Sequence, residues 1–233
     1  MAVKKSFLTV VGLILLLSGC ARATPTVKKV VVYTTAEAIG TLVLEDHCLR
    51  LRTRGSNVYL VWPEIYRISV HDDVVTVYGP EGEITLHIGQ EVSVSGGAIT
   101  SYTKIQELRK KGRIPPDCEG PYWGVGLDIS PYVRLEGTLR KEKMCWYLDT
   151  NKGPTYTLVW TGMVRVEKER VIYGEFETQE DETVFVPKTT LQVGDRVHVE
   201  GALYLGRWRG GNIPSECPGP YLVVDSIRHV EER

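Results

Sequence analysis

Ile114-Pro115-Pro116-Asp117-Cys118-Glu119-Gly120-Pro121-Tyr122 returns near the other end of the chain as Ile213-Pro214-Ser215-Glu216-Cys217-Pro218-Gly219-Pro220-Tyr221. Isoleucine, proline, an acid, cysteine, glycine, proline and tyrosine stand at the same places in both. This is an internal repeat, and it predicts two copies of one structural unit, each closed near its end by a cysteine and a Gly-Pro turn. The openings of the copies match as well: Gly40-Thr41-Leu42 and Gly137-Thr138-Leu139 lie 97 positions apart, and so do Cys48 and Cys145. Between these ends, Leu60-Val61-Trp62 corresponds to Leu158-Val159-Trp160, and the block Gly89 to Gly96 corresponds to Gly194 to Gly201. The offset changes only between blocks, where loops and edge hairpins absorb insertions.

Nearly every block alternates with period two, the signature of half-buried strands. Leu49 and Leu51 face one way while Arg50, Arg52 and Arg54 face the other, and Val92 and Val94 alternate with Glu91, Ser93 and Ser95. The first copy reads as strands at Ile39 to Glu45, Cys48 to Thr53, Asn57 to Trp62, Val74 to Tyr78, Glu83 to Ile88, Glu91 to Ser95 and Tyr122 to Ile129. The second reads as strands at Val133 to Arg140, Cys145 to Asp149, Tyr156 to Trp160, Val171 to Glu177, Thr183 to Val186, Arg196 to Leu205 and Tyr221 to Val230. One segment breaks the pattern. Tyr102 to Lys111 spaces Ile105 and Leu108 by three, offers Ser101 or Thr103 as an N-cap, ends in Arg109-Lys110-Lys111 and stops at Gly112, which predicts a short helix. The recurring Trp62 and Trp160 are expected in the core, and Trp146, beside Cys145, is expected against that cysteine's bridge.

Of the five cysteines, four pair by the logic of the repeat. Cys48 to Cys118 and Cys145 to Cys217 have nearly equal separations and matching contexts, so each copy is expected to carry its own disulfide. A zinc site would need short ligand spacings that are absent.

The fifth cysteine closes a leader. Lys4 and Lys5 form a positive start, Phe7 to Leu17 an apolar run too short to span a bilayer, and Leu17-Ser18-Gly19-Cys20 follows. This order resembles the lipobox of bacterial lipoproteins. The resemblance implies a signal peptide over residues 1–19, lipidation of Cys20, a tether over 20–35 and an extracytoplasmic, lipid-anchored location in the cell envelope. With Ala21 rather than aspartate after the cysteine, the family's sorting rule points to the outer membrane in a cell that has one.

The chain carries 28 basic and 29 acidic residues, and loss of the leader removes two of the basic ones. That balance excludes the cationic surface that nonspecific nucleic-acid binding demands, so no nucleic-acid partner is assigned. Length and repeat give an all-β chain of two domains, 36–130 and 131–233. Their short antiparallel strands, the Leu191 to Gly201 block and a helix before the closing strand resemble oligonucleotide/oligosaccharide-binding (OB) barrels, particularly small lipoprotein domains of unknown function. This resemblance implies two tandem small antiparallel barrels, each tied by its disulfide from the opening ribbon to the closing strand. Two β-sandwich domains are the alternative, because a cysteine pair some 70 residues apart also suits an intersheet bridge.

Catalytic patterns are missing. There is no Gly-x-Ser-x-Gly elbow, no phosphate-cradling glycine loop, and the acids Glu180-Asp181-Glu182 read as a solvated hairpin tip. His71-Asp72-Asp73 is the densest group of metal-ligand types, but adjacent strand residues point to opposite faces, so no metal and no cofactor are assigned. His87 and His198 read as solvent-face strand residues. The chain therefore reads as a non-enzymatic binding or assembly module with the membrane and an envelope protein as partners. The alternative is a carbohydrate- or envelope-polymer-binding lipoprotein. Candidate binding residues are Arg207, Trp208 and Arg209, an aromatic plane between two guanidinium groups, with Tyr122 and Trp123 beside the first closing motif.

Overall fold

The computed structural model describes residues 36–80, 82–160, 164–179, 182–204 and 216–230. The leader, Cys20, the tether and the Arg207-Trp208-Arg209 loop lie outside the described residues. Apart from one helix, every regular element is a strand. In the first copy these are β1 (Ala36–Glu45), β2 (Cys48–Arg52), β3 (Asn57–Val61), β4 (Arg67–His71), β5 (Val74–Gly79), β6 (Gly82–His87), β7 (Glu91–Ile99) and the helix α1 (Tyr102–Lys110). One 21-residue strand, β8 (Tyr122–Glu142), passes from the first copy into the second. There follow β9 (Cys145–Thr150), β10 (Thr155–Trp160), β11 (Val164–Glu167), β12 (Arg170–Gln179), β13 (Glu182–Gln192), β14 (Arg196–Tyr204) and β15 (Tyr221–His229). The expected boundary between residues 130 and 131 thus falls inside a strand.

The two copies repeat one ladder. In the first, β1 pairs with β2, β2 with β3, β3 in parallel with β8, β8 with β7, and β7 with β1. In the second, β8 pairs with β9, β9 with β10, β10 in parallel with β15, β15 with β14, and β14 with β8. The remaining strands form two separate meanders, β4-β5-β6 and β11-β12-β13. The edge strands β4 and β11 escape a reading by periodicity because they are mostly exposed and carry no buried side chain to mark a face.

Side chains of the ladders fill two equivalent cores. Leu42, Leu51, Leu60, Val92, Val94 and Val125 are buried in the first; Leu139, Leu148, Leu158, Val197, Val199 and Val224 occupy the matching places in the second. Each meander adds to its core, through Val75, Val77 and Leu86 in one copy and Val171 and Leu191 in the other. Trp62 and Trp160 are partly buried against these cores. Trp146 departs from expectation. It is buried in the second core, in edge contact with Trp160, while Tyr147 sits with the Cys145 and Cys217 sulfurs. Adjacent strand residues point to opposite faces, so a neighbour of Cys145 cannot also lie on its bridge.

Both expected disulfides are present, Cys48–Cys118 and Cys145–Cys217. In the first copy α1 covers the bridge: Leu108 is buried with Cys48, Cys118, Ile114 and Tyr122, and Ile105 packs beside them. Ser101 caps α1 by accepting from the Lys104 amide, and Gly112 takes the left-handed backbone conformation that ends it.

The repeated closing motif is explained at atomic scale. Both Gly-Pro peptide bonds, Gly120-Pro121 and Gly219-Pro220, are cis. Each tyrosine ring folds back over its glycine, where a Cβ would stand 2.4 Å from the Tyr122 ring and 2.8 Å from the Tyr221 ring. The Tyr122 hydroxyl donates to the Cys118 carbonyl at 3.3 Å, and the Tyr221 hydroxyl to the Cys217 carbonyl at 3.0 Å. The proline carbonyls then accept from Tyr59 and Thr157, which opens the parallel ladder in each copy.

Candidate binding cleft at the seam

Where β8 leaves one copy and enters the other, the outer surfaces of the two ladders meet along a cleft of about 650 Å³. Its lining includes Thr41, Arg52, Arg54, Glu91, Tyr132, Arg134 and Glu200. Strand register builds the floor. Thr41 on β1 is the partner of Arg52 on β2 and of Glu91 on β7, which sets an arginine, a hydroxyl and a carboxylate side by side across three strands, about 5 Å per step. From β8, Arg134 reaches Glu91 through both guanidinium NH groups, one of them at 3.0 Å, and approaches Glu200 of β14 at 3.4 Å. The Arg134 guanidinium also lies over the Tyr132 ring, 5.4 Å from its centre. Hydrogen bonding from Arg134 holds the Glu91 carboxyl below its usual range, and the same bond holds the guanidinium proton more firmly.

Behind this row lies a half-buried acid. Burial, then the nearby Glu37 carboxylate, raises Asp225 to about 6, against a hydrogen bond from Tyr132 that works the other way. Burial and the Asp225 charge raise Tyr132 in turn, and burial lifts Tyr204 to about 12. The Tyr132 hydroxyl stays protonated as a donor at any physiological pH.

The cations of the cleft differ in their commitments. Glu45 holds Arg52 at 2.6 Å from outside the lining, and Arg134 is shared by two glutamates. Arg54, exposed on the turn between β2 and β3, makes no hydrogen bond or ion pair among the described residues, although its charge acts on Glu91. The second copy reverses the row: Thr138 is the partner of Asp149 on β9 and of Arg196 on β14. Those charges are quenched locally, Asp149 by Arg140 at 2.7 Å and Arg196 by Glu136 at 3.3 Å.

The residues singled out by sequence are distributed differently. Tyr122 is buried in the clasp, where its hydroxyl also accepts from Arg109 at 2.9 Å. Trp123 is partly buried against the first core, its indole over Gly96. Neither reaches the cleft. His71, Asp72 and Asp73 lie on an exposed hairpin, and among the described residues no group of three histidine, cysteine, aspartate or glutamate side chains is placed to hold a metal. No helix among the described residues is long and apolar enough to cross a membrane. Sequence reasoning marked Arg52 and Arg54 as outward-facing but had no signal for Arg134 and Tyr132, which join them through the shared strand, or for Glu200 of β14, the register partner of Arg134. Comparison of the sequence with protein-family models and with curated proteins, and of the structure with solved structures, finds no match.

Proposed function

We propose that this chain is an exported, lipid-anchored and non-enzymatic module built of two tandem OB-like barrels, which binds or assembles with another protein of the cell envelope. Support for the barrels comes from the ladder order. In each copy the first strand pairs with the second and fourth, the third runs parallel to the fifth, and the fourth pairs with the fifth, a five-stranded circuit in keeping with the five-stranded barrel that the OB resemblance implies. The two extra strand segments per copy that the sequence suggests belong to the meanders, outside this circuit. Support for the anchor is the order of basic start, apolar run and Leu17-Ser18-Gly19-Cys20.

The single observation that carries the binding role is the seam cleft, to which both copies contribute side chains and in which one guanidinium, that of Arg54, makes no hydrogen bond or ion pair among the described residues. Isolation of the native lipidated protein from its own membranes, with mild cross-linking, is the test. A stoichiometric protein partner is the expected result. Retention on cell-wall or polysaccharide resin, lost in Trp208→Ala, would favour the glycan reading instead, and hydrolytic turnover by the purified chain would overturn the non-enzymatic one. Mass spectrometry of the mature N-terminus is expected to find acylated Cys20, and an unmodified start elsewhere would remove the anchor.

A further inference from the structure

We infer that the seam cleft binds an acidic segment of a partner polypeptide, one carboxylate of which docks on Arg54 beside Arg52 and Thr41. The inference rests on the assembly role above and specifies its chemistry. Carboxylates are what this cleft already selects: Glu45 sits on Arg52, and Glu91 and Glu200 sit on Arg134. A planar guanidinium fork matches a carboxylate with two parallel hydrogen bonds, and Arg54 is the fork in the lining that has none among the described residues. The Thr41 hydroxyl, with no hydrogen-bond partner among the described residues, stands within the same row to meet a backbone amide, and Ile39 gives an aliphatic contact at its edge.

The same geometry argues against other anions. A ligand with dense negative charge, such as a phosphodiester polymer, would meet Glu91 and Glu200 on the opposite wall, whereas a polypeptide spaces its carboxylates among neutral amides. A sugar ring would need an open aromatic face, and the one aromatic ring of the lining, Tyr132, already lies beneath the Arg134 guanidinium.

The experiment titrates the purified full chain, in detergent, into a fluorescein-labelled peptide of alternating glutamate and serine, read by anisotropy. Binding that weakens with added salt is expected, roughly ten- to a hundredfold weaker in Arg54→Ala and intermediate in Arg54→Lys. Because Arg54 is exposed and makes no hydrogen bond among the described residues, the variants are expected to keep the parent's circular dichroism and melting curve, which separates loss of binding from loss of fold. Absence of peptide binding, or equal binding by Arg54→Ala, overturns the assignment. Tighter Arg54-dependent binding of an oligouronate or of inorganic phosphate overturns the polypeptide class. A membrane partner retained undiminished by Arg54→Ala keeps the assembly role and removes the cleft assignment. Recovery of no partner from wild-type membranes removes the assembly role and the polypeptide assignment with it.

Discussion

At Gly96 and Gly201 the ladders carry register shifts, and neighbouring backbone closes in on the strand: a Cβ would stand 2.0 Å from the Gly124 carbonyl at the first and 1.9 Å from the Val223 carbonyl at the second. Backbone cannot step aside as a flexible side chain can, so Gly201→Ala is expected to lower stability by about 3 kcal/mol in urea unfolding, while Gly55→Ala, facing open space, stays within about 0.5 kcal/mol. Asp225 governs a second residue-scale effect. Its carboxyl is raised from 3.8 to about 6 in the fold, so the folded state holds the proton more tightly than the unfolded chain does. Stability is therefore undiminished by this group below about pH 4 and falls as pH rises from about 4 to 6. Glu91 and Asp149, both lowered by arginine partners, act oppositely and lose their contribution as pH falls below the ordinary carboxylate range. Urea midpoints across pH 4 to 7 should show the decline, and Asp225→Asn should flatten it; an unchanged slope would clear Asp225 of the effect. Asp225 had no signature in the sequence, where it follows Val223 and Val224 as an ordinary outward strand residue. The Glu37 carboxylate that acts on it comes from the other copy.

Elements were legible in proportion to how one-sided their burial is. The ladder strands bury alternate residues and came within a few positions of their sequence reading, except that two predicted strands fuse into β8, whose Ser130-Pro131 has the look of a break. Proline stands there at a junction of ladders, opposite Val92 of β7 and one residue before the pairing with β14 begins at Tyr132, so on the β14 side it interrupts no pairing. The clasp was legible as a repeat, but not the reason for its glycine and tyrosine, which lies in the ring folding back over the backbone. Each clasp joins a loop of 70 or 72 residues by a disulfide. Replacing Cys48 and Cys118 together by alanine is expected to cost about 4 kcal/mol in denaturant unfolding, with the chain-entropy term dominant. Tyr221→Phe, which removes the hydroxyl bond to the Cys217 carbonyl, is expected to cost about 1 kcal/mol.

For the whole molecule the governing fact is that one strand serves both copies. Each copy has its own core and bridge, yet β8 closes the first ladder with its opening half and starts the second with the rest. Unfolding of one copy then strips partners from the other's strand, and a single cooperative transition is expected from tryptophan fluorescence and far-ultraviolet dichroism alike. Insertion of Gly-Gly after Ser130 should split it into two. Coincident transitions in that variant would show that the copies are coupled by something other than the strand. The sequence made the duplication plain but not this fusion, since period two runs on unchanged through a junction between domains. A shared strand also leaves no linker between the walls of the seam cleft. The walls are joined directly through β8, which passes from its pairing with β7 at Pro131 to its pairing with β14 at Tyr132, and Arg134 ties across to Glu91, so the site is expected to hold one shape before any partner arrives. No fraction of the population need wait in a closed form, and the rate of capture is set by diffusion, orientation and the charge of the incoming segment.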